Sequence, residues 1–299
     1  AKFMISAANP LAAKAGMKIL RLGGSAVDAT IAAQMVLTLV EPQSSGIGGG
    51  AFLMHYDRAN RKVESYDGRE KAPMSAKPEM FIENGKRMKF LQAAASGISV
   101  GVPGLIRMLE LAHREHGKLP WNQLFQPAIK LAEKGFSISH RLANLLSSEK
   151  ILRHTPSARS YFYTADGKDK PVGSKIKNPA LAKTLRLIAS GGADSFYNGP
   201  IATGIIDTVG SRKKNPSGMT LADIASYEAI KRPPICTPYR QWKVCGMGPP
   251  SSGGIAVAQI LGILEHFDLS AIKPASLEAV HLVGEAGALA FADRNAYLA

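Results

Sequence analysis

Leu11, Ala12, Ala15, Gly16, Ile19 and Leu20 recur at the spacing of one helical face, between an Asn9-Pro10 start signal and a Gly23-Gly24 stop. The spacing predicts a helix there. A second helix is predicted from Ala26 to about Leu39; it is apolar on most faces and ends before Glu41-Pro42, the pattern of a helix packed on several sides. After the glycine-rich stretch SSGIGGG the pattern turns extended: Ala51 to Tyr56 and Lys62 to Tyr66 read as two strands joined by the polar turn DRANRK. Helical spacing returns from Gly104 to His116 and from Trp121 to Lys134, separated by a break at Gly117 to Pro120. Residues 150–180 are polar and carry Gly167, Pro171, Gly173 and Pro179, so a loop-rich excursion is expected, followed by helices over Pro179 to Ala189 and Gly199 to Val209. Ser226 to Arg232 and Ile235 to Met247 carry β-branched and aromatic residues bounded by prolines and read as strands. The turn Pro249 to Gly254 then opens a helix from about Ile255 to His266. A last helix is predicted from Ser276 to about Tyr297; its apolar pattern holds to the end, so further sequence is expected after Ala299.

Composition narrows the class. Hydrophobic residues at 45% and charged residues at 20% of 299 exclude disorder, collagen and a disulfide-rich miniprotein, and the length allows one large domain or two ordinary ones. The apolar run from Ala29 to Val40 is interrupted by Thr30, Gln34 and Thr38 and falls short of the roughly 18 to 20 residues that a membrane-spanning helix needs. No membrane span is expected. The opening AKFMISAANP has no apolar core ahead of a cleavage site, so no export signal is read in it. Lys and Arg number 37 against 23 Asp and Glu, a net charge of +14. The basic residues are dispersed, with short clusters at Arg58 to Lys62, Lys168 to Lys177 and Arg212 to Lys214, and no aromatic platform is interleaved with them; nucleic acid is therefore not expected as a partner. A solvated surface and an acidic partner chain both account for such a field.

Several chemistries fail on context. The loop Ser45 to Gly50 follows a predicted helix and opens a strand, the reverse of a dinucleotide-binding turn, and no GK[ST] is present. Its glycines read instead as conformational, permitting positive φ and close backbone approach where a helix turns into a central strand. Ser251-Ser252-Gly253-Gly254 lacks the G-x-S-x-G elbow, and the seven histidines show no ligand spacing, so neither a serine triad nor a metal site is supported, and no cofactor is expected. Arg69 differs in kind. It follows a predicted strand inside the tetrad Asp67-Gly68-Arg69-Glu70, and Gly68 leaves room for a ligand to approach the backbone. A planar guanidinium there suits two-pronged binding of a carboxylate, while a surface ion pair with Asp67 or Glu70 explains the same residues.

The segments ISAANPLAAKAGMKILRLGGSAVDATIAAQMVLTLVEPQSSGIGGGAF, YDGREKAP, GVPGLIRMLELAHREHGKLPWNQLFQPAIKLAEKGF and GPPSSGGIAVAQILGILEHFDL closely resemble the large subunit of gamma-glutamyltransferases, in family order. Ser25 stands where the family often has Asn, and Gln43 where bacterial members often have His. The resemblance implies an α/β N-terminal-nucleophile hydrolase, a four-layer αββα sandwich cut autocatalytically from one precursor, with residues 1–299 a single domain forming most of the large subunit. It implies a small subunit from the same precursor as partner, carrying the threonine nucleophile whose α-amine serves as base, so that no catalytic residue lies in this chain. Arg69 would bind the α-carboxylate of the γ-glutamyl group, with Glu70 supporting that pocket. Glutathione and related γ-glutamyl compounds would be the substrates, and a periplasmic or secreted location is implied. A cephalosporin acylase acting on a glutaryl side chain, which also keeps a carboxylate for Arg69, is the sister reading; a non-catalytic binding protein on the same scaffold is the third.

Cys236 and Cys245 are too few for a disulfide scaffold or a structural zinc site. If Arg240 and Gln241 are the central residues of a two-residue turn, Tyr239 faces Trp242 and Cys236 faces Cys245 in a non-hydrogen-bonded pair, close enough to bridge. Tyr-Arg-Gln-Trp lacks the glycine that tight hairpins favour, so two reduced, half-buried thiols are the alternative.

Overall fold

A computed structural model describes residues 2–212 and 214–298. Lys213, in the third basic cluster, and Ala299 lie outside the described residues. The chain forms two compact units, residues 1–51 with 68–229 and residues 52–67 with 230–299.

The first unit is built on two paired helices, α1 (Pro10–Arg21) and α2 (Ala26–Val40). Asn9 caps α1 by accepting from the Leu11 N–H, with Pro10 at the first helical position, where its missing N–H costs nothing. Ser25 and Asp28 cap α2 reciprocally: the Ser25 hydroxyl accepts from the Asp28 N–H and the Asp28 carboxylate from the Ser25 N–H. Ile31, Met35, Val36 and Leu39 of α2 are fully buried, as its apolar pattern predicts. Around it pack α3 (Leu105–His116), a turn at Trp121–Leu124 and α4 (Gln126–Lys134), with α5 (Pro179–Gly191) against α4. The predicted Trp121 to Lys134 helix is thus broken at Phe125, ahead of Pro127.

The Asp28 carboxylate does more than cap. Oδ2 also accepts from the Lys118 and Leu119 N–H groups at 3.0 Å each, tying the start of α2 to the link after α3, and the side chain is wholly buried.

Residues 150–180 are less irregular than expected, since Pro156–Phe162 is helical with Phe162 turned inward; one buried residue in a short turn leaves little periodicity to read. Later in the unit come α6 (Pro200–Gly210) and the short α7 (Leu221–Ala225), capped by Thr220 and Asp223. The carboxylate of Asp223 also accepts from the Met74 N–H, the main reason its pKa lies below the usual carboxylate value. The strand predicted from Ser226 begins only at Ile230: the Ser226 and Tyr227 N–H groups bond back onto α7, and Tyr227 is buried.

In the second unit β1 (Ala51–Asp57), β2 (Lys62–Gly68) and β3 (Ile230–Arg232) form a sheet with β2 in the middle. Asp67 and Gly68 therefore extend the strand predicted to end at Tyr66, and β1, expected to be central, lies at an edge of the described sheet. The polar residues of β2 are matched across the ladder: Ser65 donates to the Arg232 carbonyl, Glu64 meets Lys231 at 2.9 Å and Asp67 meets Arg232 at 2.7 Å.

A separate hairpin, β4 (Ile235–Tyr239) and β5 (Trp242–Gly246), pairs Tyr239 with Trp242 and Cys236 with Cys245, the register expected of a two-residue turn. Arg240 takes the left-handed φ of 52° that such a turn needs and glycine usually supplies. The cysteines are joined in a disulfide with Cα atoms 4.1 Å apart. Titration of the denatured, unreduced chain is expected to find no free thiol; two thiols would contradict the bridge. Two helices, α8 (Gly253–Leu264) and α9 (Leu277–Tyr297), complete the unit, with α9 capped by Ser276.

Candidate functional site

The chain passes from Gly68, the last residue of β2, directly into Arg69 and Glu70, so both side chains start from the end of a paired strand. Strand ends hold side chains more firmly than free loops do. Gly68 is not a gap left for a ligand, as the sequence suggests. A Cβ built on it would lie 2.5 Å from Cβ of Met108 and 3.1 Å from the Gly104 carbonyl oxygen, so glycine is required for the chain to pass against the start of α3.

Glu70 is anchored by the glycine loop. The Gly50 N–H donates to Glu70 Oε1 at 2.8 Å, while Glu70 Oε2 meets Arg69 Nε at 3.2 Å. One carboxylate thus joins the loop to the guanidinium. The closeness demands glycine: a Cβ on Gly50 would stand 2.5 Å from the Gly68 carbonyl and 2.7 Å from Glu70 Oε2. None of Gly46, Gly48, Gly49 and Gly50 has a positive φ, so close approach, and not a left-handed backbone, accounts for glycine at position 50. The Gly49 carbonyl accepts from the Gly104 and Leu105 N–H groups, fastening the loop to the first turn of α3. Lys71 then pairs with Val102, its N–H and carbonyl both bonded.

Within this frame Arg69 remains 60% exposed and Glu70 34% exposed, which leaves the guanidinium accessible to a ligand. Of the flanking acids, Glu70 contacts Arg69, and Asp67 contacts Arg232. The ion pair anticipated as the plain alternative is therefore present with Glu70, but its acid is also held by a backbone N–H. Glu70 thus meets the loop through one oxygen and the Arg69 guanidinium through the other.

Two features of the site escape sequence reading. The Glu70–Gly50 bond joins residues in different elements, and the Tyr227 hydroxyl, which donates to the Arg69 carbonyl at 2.7 Å, comes from a residue 158 positions away in a segment read as a strand. No local signal marks Tyr227. The GVPG run before α3 does carry a hint, since glycines at 101 and 104 both sit where a Cβ would strike the Gly68 to Lys71 backbone or Glu70.

The family model for gamma-glutamyltranspeptidase matches residues 12–299. The chain belongs to the gamma-glutamyltranspeptidase family. It is 40% identical over 297 residues to the glutathione hydrolase proenzyme of Bacillus subtilis (strain 168), covering 98% of this chain and 50% of that protein. The crystal structure of Helicobacter pylori gamma-glutamyltranspeptidase superposes with a TM-score of 0.93 at 36% identity, covering 99% of this chain and 84% of that one. The acylase ACY 1 proenzyme of Pseudomonas sp. (strain SE83) is 35% identical over 298 residues, covering 97% of this chain and 52% of that protein. This gamma-glutamyltranspeptidase family chain thus spans about half the length of the curated relatives it matches, and its mixed α/β structure is of the N-terminal-nucleophile hydrolase class. Among the described residues no helix is long and apolar enough to cross a membrane.

Proposed function

We propose that this chain is most of the large subunit of a gamma-glutamyltransferase, a single structural half that works with a small subunit cut from the same precursor. The observation that carries the reading is the Arg69–Glu70–Gly50 chain of contacts in a member of this family. In the proposed reaction Arg69 takes the α-carboxylate of a γ-glutamyl compound such as glutathione, with Glu70 holding the guanidinium in plane. The threonine hydroxyl of the small subunit attacks the γ-carbonyl and passes its proton to the α-amine; the amine leaving group departs protonated, leaving a γ-glutamyl ester. Water or an amino acid then attacks the ester, releasing glutamate or a new γ-glutamyl amide and restoring the hydroxyl.

The partner is supported by the relatives, which are named as proenzymes about twice as long. It is supported also by α9, which exposes Leu277, Val280, Val283, Leu289, Phe291 and Tyr297, an apolar surface unusual for a solvated helix. The disulfide supports an oxidising location, periplasmic or secreted. A glutaryl acylase is the second reading, favoured by the 35% identity to the Pseudomonas acylase.

Expressed alone, residues 1–299 are expected to release no glutamate from glutathione. The chain produced with the rest of its precursor is expected to turn over γ-glutamyl-p-nitroanilide faster than a glutaryl β-lactam. The reverse preference would favour the acylase, and activity of the isolated chain would overturn the assignment.

A further inference from the structure

We infer that Tyr227 is a positioning residue for Arg69, holding through its hydroxyl the peptide from which the substrate-binding guanidinium projects; this rests on the carboxylate-binding reading of Arg69. The phenol donates to the Arg69 carbonyl oxygen at 2.7 Å. That carbonyl belongs to the peptide joining Arg69 to Glu70, so the bond fixes the plane between the two side chains. The same short stretch is held on either side: the Glu70 carboxylate by the Gly50 N–H, and Lys71 by its paired bonds with Val102. Of these ties, that of Tyr227 acts on the Arg69 backbone itself.

The ring that carries the hydroxyl is itself held. Tyr227 is 3% exposed. It stacks on Tyr197 with centroids 5.8 Å apart and planes 16° from parallel, and the Lys71 ammonium lies 4.9 Å from its centroid. Tyr197 is fixed in turn, donating to the Pro103 carbonyl at 2.9 Å while the Arg107 guanidinium covers its face. Gly104 completes the seat, because a Cβ there would collide with the Tyr227 hydroxyl and the Gly68 carbonyl. A buried, stacked ring aims its one polar atom at the backbone of the ligand-binding arginine. Packing alone asks for the ring, and the bond to Arg69 asks for the oxygen.

That division gives the test. Tyr227→Phe keeps the ring and removes the oxygen, leaving a backbone acceptor without its donor. In the two-subunit enzyme, KM for γ-glutamyl-p-nitroanilide is expected to rise about three- to fifteen-fold with kcat within about two-fold, because a misaligned clamp weakens binding of the glutamyl group. Placed on an Arg69→Ala background, the same change is expected to add nothing, since the group it positions is gone. An unchanged KM in Tyr227→Phe, or a loss of kcat or melting temperature with KM intact, would overturn the inference while Arg69→Ala still raised KM. Additive losses in the double variant would also overturn it. If Arg69→Ala itself left KM unchanged, the carboxylate reading would fall instead.

Discussion

Arg69→Ala in the two-subunit enzyme is expected to lower kcat/KM for γ-glutamyl-p-nitroanilide by roughly 30-fold to several thousand-fold, mainly through KM. The size follows from what the proposed clamp would lose: a two-pronged, charge-assisted contact to the substrate carboxylate, and the 3.2 Å contact of Glu70 Oε2 with the guanidinium. Arg69→Lys is expected to restore little. A lysine ammonium is a single point charge that cannot make two parallel bonds to a carboxylate, and it has no counterpart of Nε through which Glu70 sets the plane. Wild-type kinetics in the lysine variant would reduce Arg69 to a surface ion pair. The pairing geometry alone would not survive that result as evidence for function.

A second large effect is expected on stability. Asp28 is wholly buried, and one of its oxygens accepts from three backbone N–H groups, those of Ser25, Lys118 and Leu119. Asp28→Ala would leave these donors without a partner in a site that water does not reach. The expected loss is about 3 to 5 kcal/mol in urea unfolding, more than an ordinary helix cap provides. Asp28→Asn keeps an oxygen that can face the donors, but loses the charge and puts an NH2 in place of Oδ1, 3.5 Å from His113 Nε2, so about 1 to 2 kcal/mol is expected. A loss below about 0.5 kcal/mol for the alanine variant would show that the three bonds are replaced by solvent and that the link after α3 is not anchored through Asp28.

The elements legible in the sequence are those whose pattern is local. Asn9-Pro10, Ser25 with Asp28, and the run from Ala26 to Val40 state the beginnings, ends and burial of α1 and α2 within their own residues. The disulfide register was readable because a hairpin relates its two strands by simple counting, although the turn had to accept a left-handed Arg240 for the count to hold. What lay beyond reading was set by distant partners. Gly68 is glycine because Met108 passes against it, a reason that a ligand-approach argument could not supply. Ser226 and Tyr227 precede strand-like sequence but follow a capped helical turn whose Ala222 and Ile224 carbonyls take their N–H groups. Arg69 stood out because an arginine between two acids at a strand end is chemically unusual; the loop that holds Glu70 and the tyrosine that holds the Arg69 backbone arrive only with the fold.

The claim that the site recognises an α-carboxylate is tested most directly by competition. L-glutamate and 4-aminobutyrate share the γ-carboxyl chain end and the amine, and differ by the α-carboxylate alone. Against γ-glutamyl-p-nitroanilide turnover by the two-subunit enzyme, L-glutamate is expected to inhibit at least 30-fold more tightly than 4-aminobutyrate, and Arg69→Ala to abolish the difference. Equal inhibition by the two compounds in the wild-type enzyme would contradict the assignment of Arg69.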